Sequence, residues 1–128
     1  MNVFASMIFF AFFGGSAIAA EPVITQEQNT QAYVIAQAQV TDWNEFQRYQ
    51  EAALPSILAH KGKAIVATKT VTILEGRWTA NWTVVLEFPS MQAAKDWYAS
   101  QSYQQAIPIR KKATKFTNLL IVDKYSPK

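Results

Sequence analysis

Residues 81–100, NWTVVLEFPSMQAAKDWYAS, decide the fold because they join an amphipathic strand directly to an amphipathic helix. Within Trp82–Phe88 every second residue is apolar and points to one side of a strand. Ser90 is a favoured helix N-cap, and the apolar side chains after it fall on one stripe of a helix. The members of that stripe are Met91, Ala94, Trp97 and Tyr98. Such a pair predicts a sheet that helices cover on one face.

The same pairing of strand and helix begins the folded part of the chain. Tyr33–Val40 alternates between an apolar side and a mixed side, as a strand does. The apolar side consists of Val34, Ala36, Ala38 and Val40. Because Ala36 and Ala38 are small, we expect a helix to approach the sheet closely there.

A helix is predicted to follow this first strand. Thr41 or Asp42 can serve as its N-cap, and its apolar residues recur at spacings of three, four and seven. Pro55 disfavours helical geometry at the residue before it, so we expect a kink or a fresh start there. Gly62 is expected to end the second piece.

Two more strands are predicted from runs of β-branched residues. Ala64–Thr68 and Val71–Leu74 are expected to form one strand that continues through a bend, before a turn at Glu75–Trp78. Thr117–Val122 is expected to form the last strand of the sheet.

A shorter helix is predicted before that last strand. We expect it to start at Ser102 and to be interrupted at Pro108. It leads to a basic run of Arg110, Lys111, Lys112 and Lys115. The predicted order is therefore strand, helix, strand, strand, helix, strand. This is the ferredoxin-like α+β arrangement, a four-stranded antiparallel sheet with helices on one face.

The sheet face away from the helices has a mixed composition. It carries Tyr33, Ile35 and Val85 among Gln37, Gln39, Thr83 and Glu87. That face is too apolar for a bare surface and too polar for an ordinary core. Such a face suits a subunit interface or a ligand chamber. Since monomers rarely expose apolar patches beyond about 300–600 Å², we predict a homodimer in which two such faces meet.

Several different short motifs lie between residues 32 and 123 of the chain. In order, they are Tyr33-Val34-Ile35-Ala36, Leu74-Glu75-Gly76-Arg77-Trp78, Glu87-Phe88-Pro89-Ser90, Trp97-Tyr98, Tyr103-Gln104 and Arg110. Together they resemble the domain-of-unknown-function 1330 family. The resemblance implies a dimeric α+β barrel, related in architecture to small cofactor-free monooxygenases and to muconolactone-isomerase-like and stress-responsive barrels. It implies no particular reaction.

The chain departs from that family's pattern at two places. After the first helix the family usually has paired glycines, where this chain has Lys61-Gly62. Further on it tends to have Arg before Gly-Gly, where this chain has Ala67-Thr68-Lys69. The resemblance therefore leaves open whether a charged pocket residue is lost or is replaced by Lys63 or Lys69.

Two residues are candidates for acid–base catalysis. His60 is the single histidine, and a histidine can act as acid or base near neutral pH. Its structural alternative is to cap carbonyl groups at a helix C-terminus. Glu87 lies mid-strand and could accept a proton or orient a substrate. Its structural alternative is an ion pair with Arg48, Arg77 or Arg110.

Three residues are candidates for ligand binding. Trp78 stands beside a turn glycine, and it and Tyr98 are the aromatic residues expected nearest a cleft. Arg110 is the member of the basic run expected to point inward, because it recurs in the family resemblance. The rest of that run is expected to form a solvated face.

Composition excludes several kinds of chemistry. The 128 residues include 12 Lys plus Arg against 9 Asp plus Glu, with one His and no Cys. We therefore expect no metal site and no cofactor, and the sequence holds no phosphate loop or dinucleotide fingerprint. The third predicted strand lacks the basic, glycine and aromatic motif of RNA-binding domains, so no nucleic-acid partner is expected.

The N-terminal segment predicts export to the periplasm or the cell exterior. Residues 1–20 carry no charged side chain, and the apolar run Val3–Phe13 precedes small residues. This is typical of a secretory signal that is cleaved after Ala19 or Ala20. The run is shorter than the roughly 20 apolar residues that span a bilayer, so no stable membrane insertion is expected after cleavage.

The remaining residues divide into a lead, one domain and a tail. Residues 21–31 are polar and predict a flexible lead. Residues 32–123 are expected to form the single folded domain, and residues 124–128 its C-terminal tail.

Three functions agree with these features. The first is binding of a small, mostly apolar organic molecule in a cleft between sheet and helices. The second is a cofactor-independent monooxygenase or isomerase in which His60 or Glu87 moves a proton. The third is a structural or partner-binding module that uses its basic edge.

Overall fold

The structure is a computed structural model that describes Gly15 and residues 30–128. Apart from Gly15, the predicted signal segment lies outside the described residues, and so does the predicted lead up to residue 29. No helix in the described part has the length and hydropathy of a membrane span.

The described chain forms four strands and three helices. In chain order they are β1 (Ala32–Val40), α1 (Trp43–Ala59), β2 (Lys63–Thr68), β3 (Trp82–Phe88), α2 (Met91–Ala99), α3 (Gln101–Ala113) and β4 (Thr114–Asp123). The strands make one antiparallel sheet in the order β2-β3-β1-β4. The predicted ferredoxin-like α+β fold is confirmed.

The central strand β1 assigns its residues to two faces. Val34 lies opposite Leu86 on β3 and opposite Ile121 on β4. These residues face the helices. Every second residue of β1 is buried on this side, namely Ala32, Val34, Ala36, Ala38 and Val40.

Polar caps start all three helices. Asp42 accepts a hydrogen bond from the Glu45 backbone N–H over 3.0 Å at the start of α1. Ser90 does the same for Ala93 at the start of α2, also over 3.0 Å. Ser100 caps α3, which therefore begins one residue earlier than expected. These caps satisfy backbone donors that a helix start leaves without a partner.

The expected fresh start at Pro55 and interruption at Pro108 are wrong. α1 and α3 each run through their proline, and α3 thereby includes the first three residues of the basic run. Both prolines are exposed. A proline removes one backbone donor from a helix, but buried residues near it, such as Ser56 in α1 and Ile107 in α3, keep each helix packed in the core.

The prediction that one strand continues through a bend into Val71–Leu74 is also wrong. β2 ends at Thr68, and residues 69–81 cross to β3 without regular structure. The Thr68 hydroxyl accepts a hydrogen bond from the Thr70 N–H and donates one to its carbonyl, each over 3.0 Å, which turns the chain away. Leu74 in this crossing is 90% exposed. A β-prone sequence forms a strand only where a neighbour is placed to pair with it.

Gly62 is required for close packing and not for a left-handed backbone conformation. The left-handed residue after α1 is Lys61, with φ of 59°. A Cβ on Gly62 would lie 2.6 Å from the Phe88 ring and 2.8 Å from Ile57. The end of α1 can therefore close against β3 only where no side chain stands between them. The helix itself ends at Ala59, three residues before the glycine expected to end it.

The core lies between the sheet and the helices. Its larger cluster is built on stacked rings, with the Trp97 centroid 5.3 Å from Phe88 and 4.1 Å from Tyr103. A smaller cluster at the other end joins Ala38, Val40, Phe46 and Ala113. The sheet between these clusters is less tightly covered.

Candidate functional site

An apolar cavity of about 210 Å³ lies between the sheet and α1. Its floor is the helix side of the sheet, formed by Val34, Ala36, Val84, Leu86 and Leu119. Its roof is α1, which contributes Phe46, Tyr49, Ala53 and Ile57. Trp82 and Trp97 also line it. We call this cavity the chamber.

Small side chains leave the chamber open. Ala36 on β1 and Ala53 on α1 both line it. The expectation that Ala36 and Ala38 bring a helix close holds at Ala38 alone, which joins a buried cluster with Phe46 and Ala113. At Ala36 the missing volume becomes part of the chamber instead.

The chamber has a mouth between α1 and the edge strand β2. Gln50 and Leu54 of α1 and Ala64 and Ala67 of β2 line the chamber while being exposed to solvent. Ala67 stands in the segment where the resembling family tends to have a charged residue. The mouth is therefore apolar and uncharged on its β2 side.

A smaller pocket of about 40 Å³ adjoins the chamber and shares Ala36, Tyr49 and Trp82 with it. Arg110 on α3 lines this pocket. Among the described residues that line either space, Arg110 is the one with a charged side chain. The apolar chamber thus has one cationic end.

Three polar side chains are linked at that end. Arg110 donates from Nη1 to the Tyr103 hydroxyl over 2.5 Å, and the hydroxyls of Tyr103 and Tyr49 lie 3.0 Å apart. Burial raises the pKa of Tyr103 well above its ordinary value, so its phenol keeps its proton. Because Tyr103 accepts from Arg110, its own proton is free to bond the Tyr49 oxygen.

Arg110 is buried without an anion among the described residues. Only 7% of its surface is exposed, and its Nε makes no hydrogen bond in the part of the chain that the structure describes. The ion pairs formed there join Arg48 to Glu45 and Lys63 to Glu87. The rings of Tyr49 and Tyr103 lie 5.8 and 6.0 Å from its guanidinium carbon and compensate part of the charge.

The two predicted acid–base residues do not line the chamber. His60 lies at the end of α1, with its Nδ1 2.8 Å from the Ser56 carbonyl oxygen. Glu87 lies on the sheet face away from the helices, with its carboxylate 3.2 Å from the Lys63 ammonium. Lys63, rather than an arginine, is its partner. A catalytic role for either residue stays a prediction.

The two predicted aromatic ligand residues also lie elsewhere. Trp78 lines a shallow hollow along the crossing of residues 69–81. Tyr98 lines an open groove between α2 and β4. Arg110 is thus the one predicted site residue that lines the pocket adjoining the chamber, and its role in binding stays a prediction. Lys69 lies outside the chamber, where its ammonium nitrogen is 3.9 Å from the centre of the Trp43 ring.

Sequence reasoning missed Tyr49 and did not connect Tyr103 with Arg110. Tyr103 and Arg110 are seven residues apart in α3, which places them on one helix face and is a signal that the sequence contains. Tyr49 lies 54 residues before Tyr103 and carries no local pattern that would join them.

Comparison with known proteins identifies the chain's relatives. A family model described as "Domain of unknown function (DUF1330)" matches residues 31–125. No curated protein matches the chain.

Solved structures share its fold at low sequence identity. A protein of unknown function from Rhodopseudomonas palustris has 14% identity and a TM-score of 0.67, with 78% of this chain and 86% of that one covered. A cofactor-independent oxygenase from Streptomyces nogalater has 11% identity and a TM-score of 0.54, with 77% of this chain and 96% of that one covered. A dimeric protein of unknown function and ferredoxin-like fold from Bacteroides fragilis has 14% identity and a TM-score of 0.51, with 73% of this chain and 96% of that one covered. These similarities concern the fold alone.

Burial of the Tyr103 phenol predicts that the protein loses stability at alkaline pH. The folded-state pKa of the phenol lies above the value of about 10 for an exposed tyrosine. Below about pH 10 both states hold the proton and stability is unaffected, while above it the unfolded state releases the proton and the free energy of unfolding falls. Between about pH 10 and pH 11, the wild type should lose up to about 1.4 kcal/mol more than Tyr103→Phe in urea unfolding. Equal slopes in the two proteins would contradict this assignment.

Proposed function

Because the chain belongs to the DUF1330 family, whose description states no activity, we propose its function from the chamber. The protein is an exported homodimer that binds one small, mostly apolar organic molecule between the sheet and α1. The observation that carries this function is an apolar space that opens to solvent between Leu54 and Ala67 and ends at a buried arginine.

The chamber's size and lining favour a compact ring-containing ligand. An apolar cavity of about 150 Å³ can bind benzene, so the chamber's volume of about 210 Å³ suits a molecule of one or two rings. Trp82 and Tyr49 offer aromatic surface for such a ligand. Leu54, exposed at the mouth, provides apolar surface along the entrance.

Filling the chamber should weaken the binding of an apolar probe. We expect the wild type to bind naphthalene, and Ala36→Leu to bind it at least about tenfold more weakly, because the added methyl groups occupy the ligand's space. Ala52→Leu makes the same change on an exposed site of α1 outside the lining and should bind as the wild type does. Quenching of tryptophan fluorescence can measure all three affinities.

A second variant separates binding from folding. Ala67→Leu narrows the mouth at an exposed position, where the fold tolerates a larger side chain, and it should also weaken binding. Naphthalene binding of wild-type strength in both Ala36→Leu and Ala67→Leu would place the ligand outside the chamber.

The sheet face away from the helices supports the homodimer. Ile35 lies opposite Val85 on β3 and Leu120 on β4, so these side chains form one apolar patch across three strands. Leu120 is 52% exposed, and Val122 on the same face is exposed as well. Burying apolar surface favours association. The Bacteroides fragilis protein of this fold is described as dimeric.

A charge in this patch should separate the two subunits. In sedimentation velocity at about 10 µM, a concentration at which dimers with Kd near 1 µM persist, we expect the wild type as a dimer. Leu120→Lys should sediment as a monomer, because an unpaired ammonium would be buried at the interface. Ala52→Lys adds the same charge on exposed α1 and should remain dimeric. A monomeric wild type would exclude this interface.

Export is supported by the uncharged, apolar residues 1–20. Expressed in a bacterium with its full sequence, the protein should appear outside the cytoplasm without its first 19 or 20 residues. Intact-mass measurement of the periplasmic fraction checks this cleavage. A cytoplasmic protein that retains Met1 would contradict it.

The alternatives have less support from the geometry. His60 and Glu87 lie outside the chamber, and likeness to an oxygenase at 11% identity concerns the fold alone. The basic run divides into buried Arg110 and exposed lysines, so a partner-binding edge would depend on the lysines alone.

A further inference from the structure

We infer that the chamber's ligand is a small apolar carboxylate, whose carboxylate group is bound by Arg110 and Tyr49 while its apolar body fills the chamber. This inference rests on the proposed function and specifies the chemical class of its ligand.

Arg110 has the position and the free donor that a carboxylate requires. It is more than nine-tenths buried, it lines the pocket that adjoins the chamber, and its Nε has no hydrogen-bond partner among the described residues. A buried guanidinium without an anion is costly, and a bound carboxylate would remove that cost. The bond from Nη1 to Tyr103 orients the group and leaves the buried Nε unsatisfied, and the ligand's carboxylate would supply the acceptor that Nε lacks.

Tyr49 supplies a second donor to the same place. Its ring lines both the chamber and the adjoining pocket, and its hydroxyl lies 3.0 Å from that of Tyr103. Tyr103 accepts from Arg110, so its own proton can be donated to the Tyr49 oxygen. The proton of Tyr49 then remains for a ligand oxygen.

The size and charge of this end favour a carboxylate over a phosphate. The adjoining pocket has a volume of about 40 Å³, and Arg110 is the one cation among the described residues that line it. A carboxylate has one negative charge and matches one guanidinium. A phosphate group with two charges would leave one of them buried without a partner.

A matched pair of probes tests the inference on the full protein. 2-Naphthoate and its neutral analogue 2-naphthamide have nearly the same shape and differ in charge. By isothermal titration calorimetry, the wild type should bind 2-naphthoate at least about tenfold more tightly than 2-naphthamide. Arg110→Met should lose this preference and keep its affinity for 2-naphthamide within about threefold. Lys111→Met removes a charge from the adjacent, exposed residue of α3 and should keep the preference.

Tyr49→Phe provides an independent variant if Arg110→Met does not fold. It keeps the ring in the chamber and removes the hydroxyl, so the preference for 2-naphthoate should fall by about threefold or more. A preference that is unchanged in Tyr49→Phe, or in a folded Arg110→Met, would overturn the inference.

The probes also separate this inference from the proposed function. Equal wild-type affinities for 2-naphthoate and 2-naphthamide would overturn the carboxylate assignment and leave the chamber as a binding site for apolar molecules. Binding of neither probe, together with no binding of naphthalene, would overturn both.

Discussion

β1 is hydrogen-bonded on both sides, to β3 and to β4, so each of its residues is fixed to one face of the sheet. A shift of one residue would exchange the two faces and expose Val34 and its buried neighbours. The same pairing fixes where Ala36 leaves the chamber open and where Ile35 stands exposed on the other side. Both candidate binding surfaces therefore depend on the register of this one strand.

The side chains at the polar end of the chamber are fixed by residues that also pack in the core. Tyr103 is anchored between the ring of Trp97 and the hydroxyl of Tyr49. Its bond to Arg110 therefore fixes the guanidinium in a dry environment, where electrostatic interactions are stronger than in water. Trp97 is itself held by a hydrogen bond from its indole N–H to the Ser56 hydroxyl, over 3.2 Å. The proposed recognition at this end thus relies on core residues that are already ordered.

The elements that sequence predicted well are those with a complete local signal. β3 matches its predicted bounds because its alternation is unbroken, and α2 begins after the predicted cap Ser90. Val71–Leu74 has strand composition but no adjacent strand, and Pro55 is outweighed by the packing of α1, so local patterns failed for both. The chamber could not be predicted, because it is a space left by small residues that come together only in the fold.

The two ends of the chamber differ in how far their residues can be replaced. Ala64 and Ala67 line the entrance from an edge strand and belong to neither buried cluster. Replacement there changes the space available to a guest molecule at little expense to folding. Replacement of Tyr103 at the closed end would disturb the core. In the proposed site, substitutions at the mouth can therefore change the length of guest that fits, while the chemical group at the inner terminus is retained.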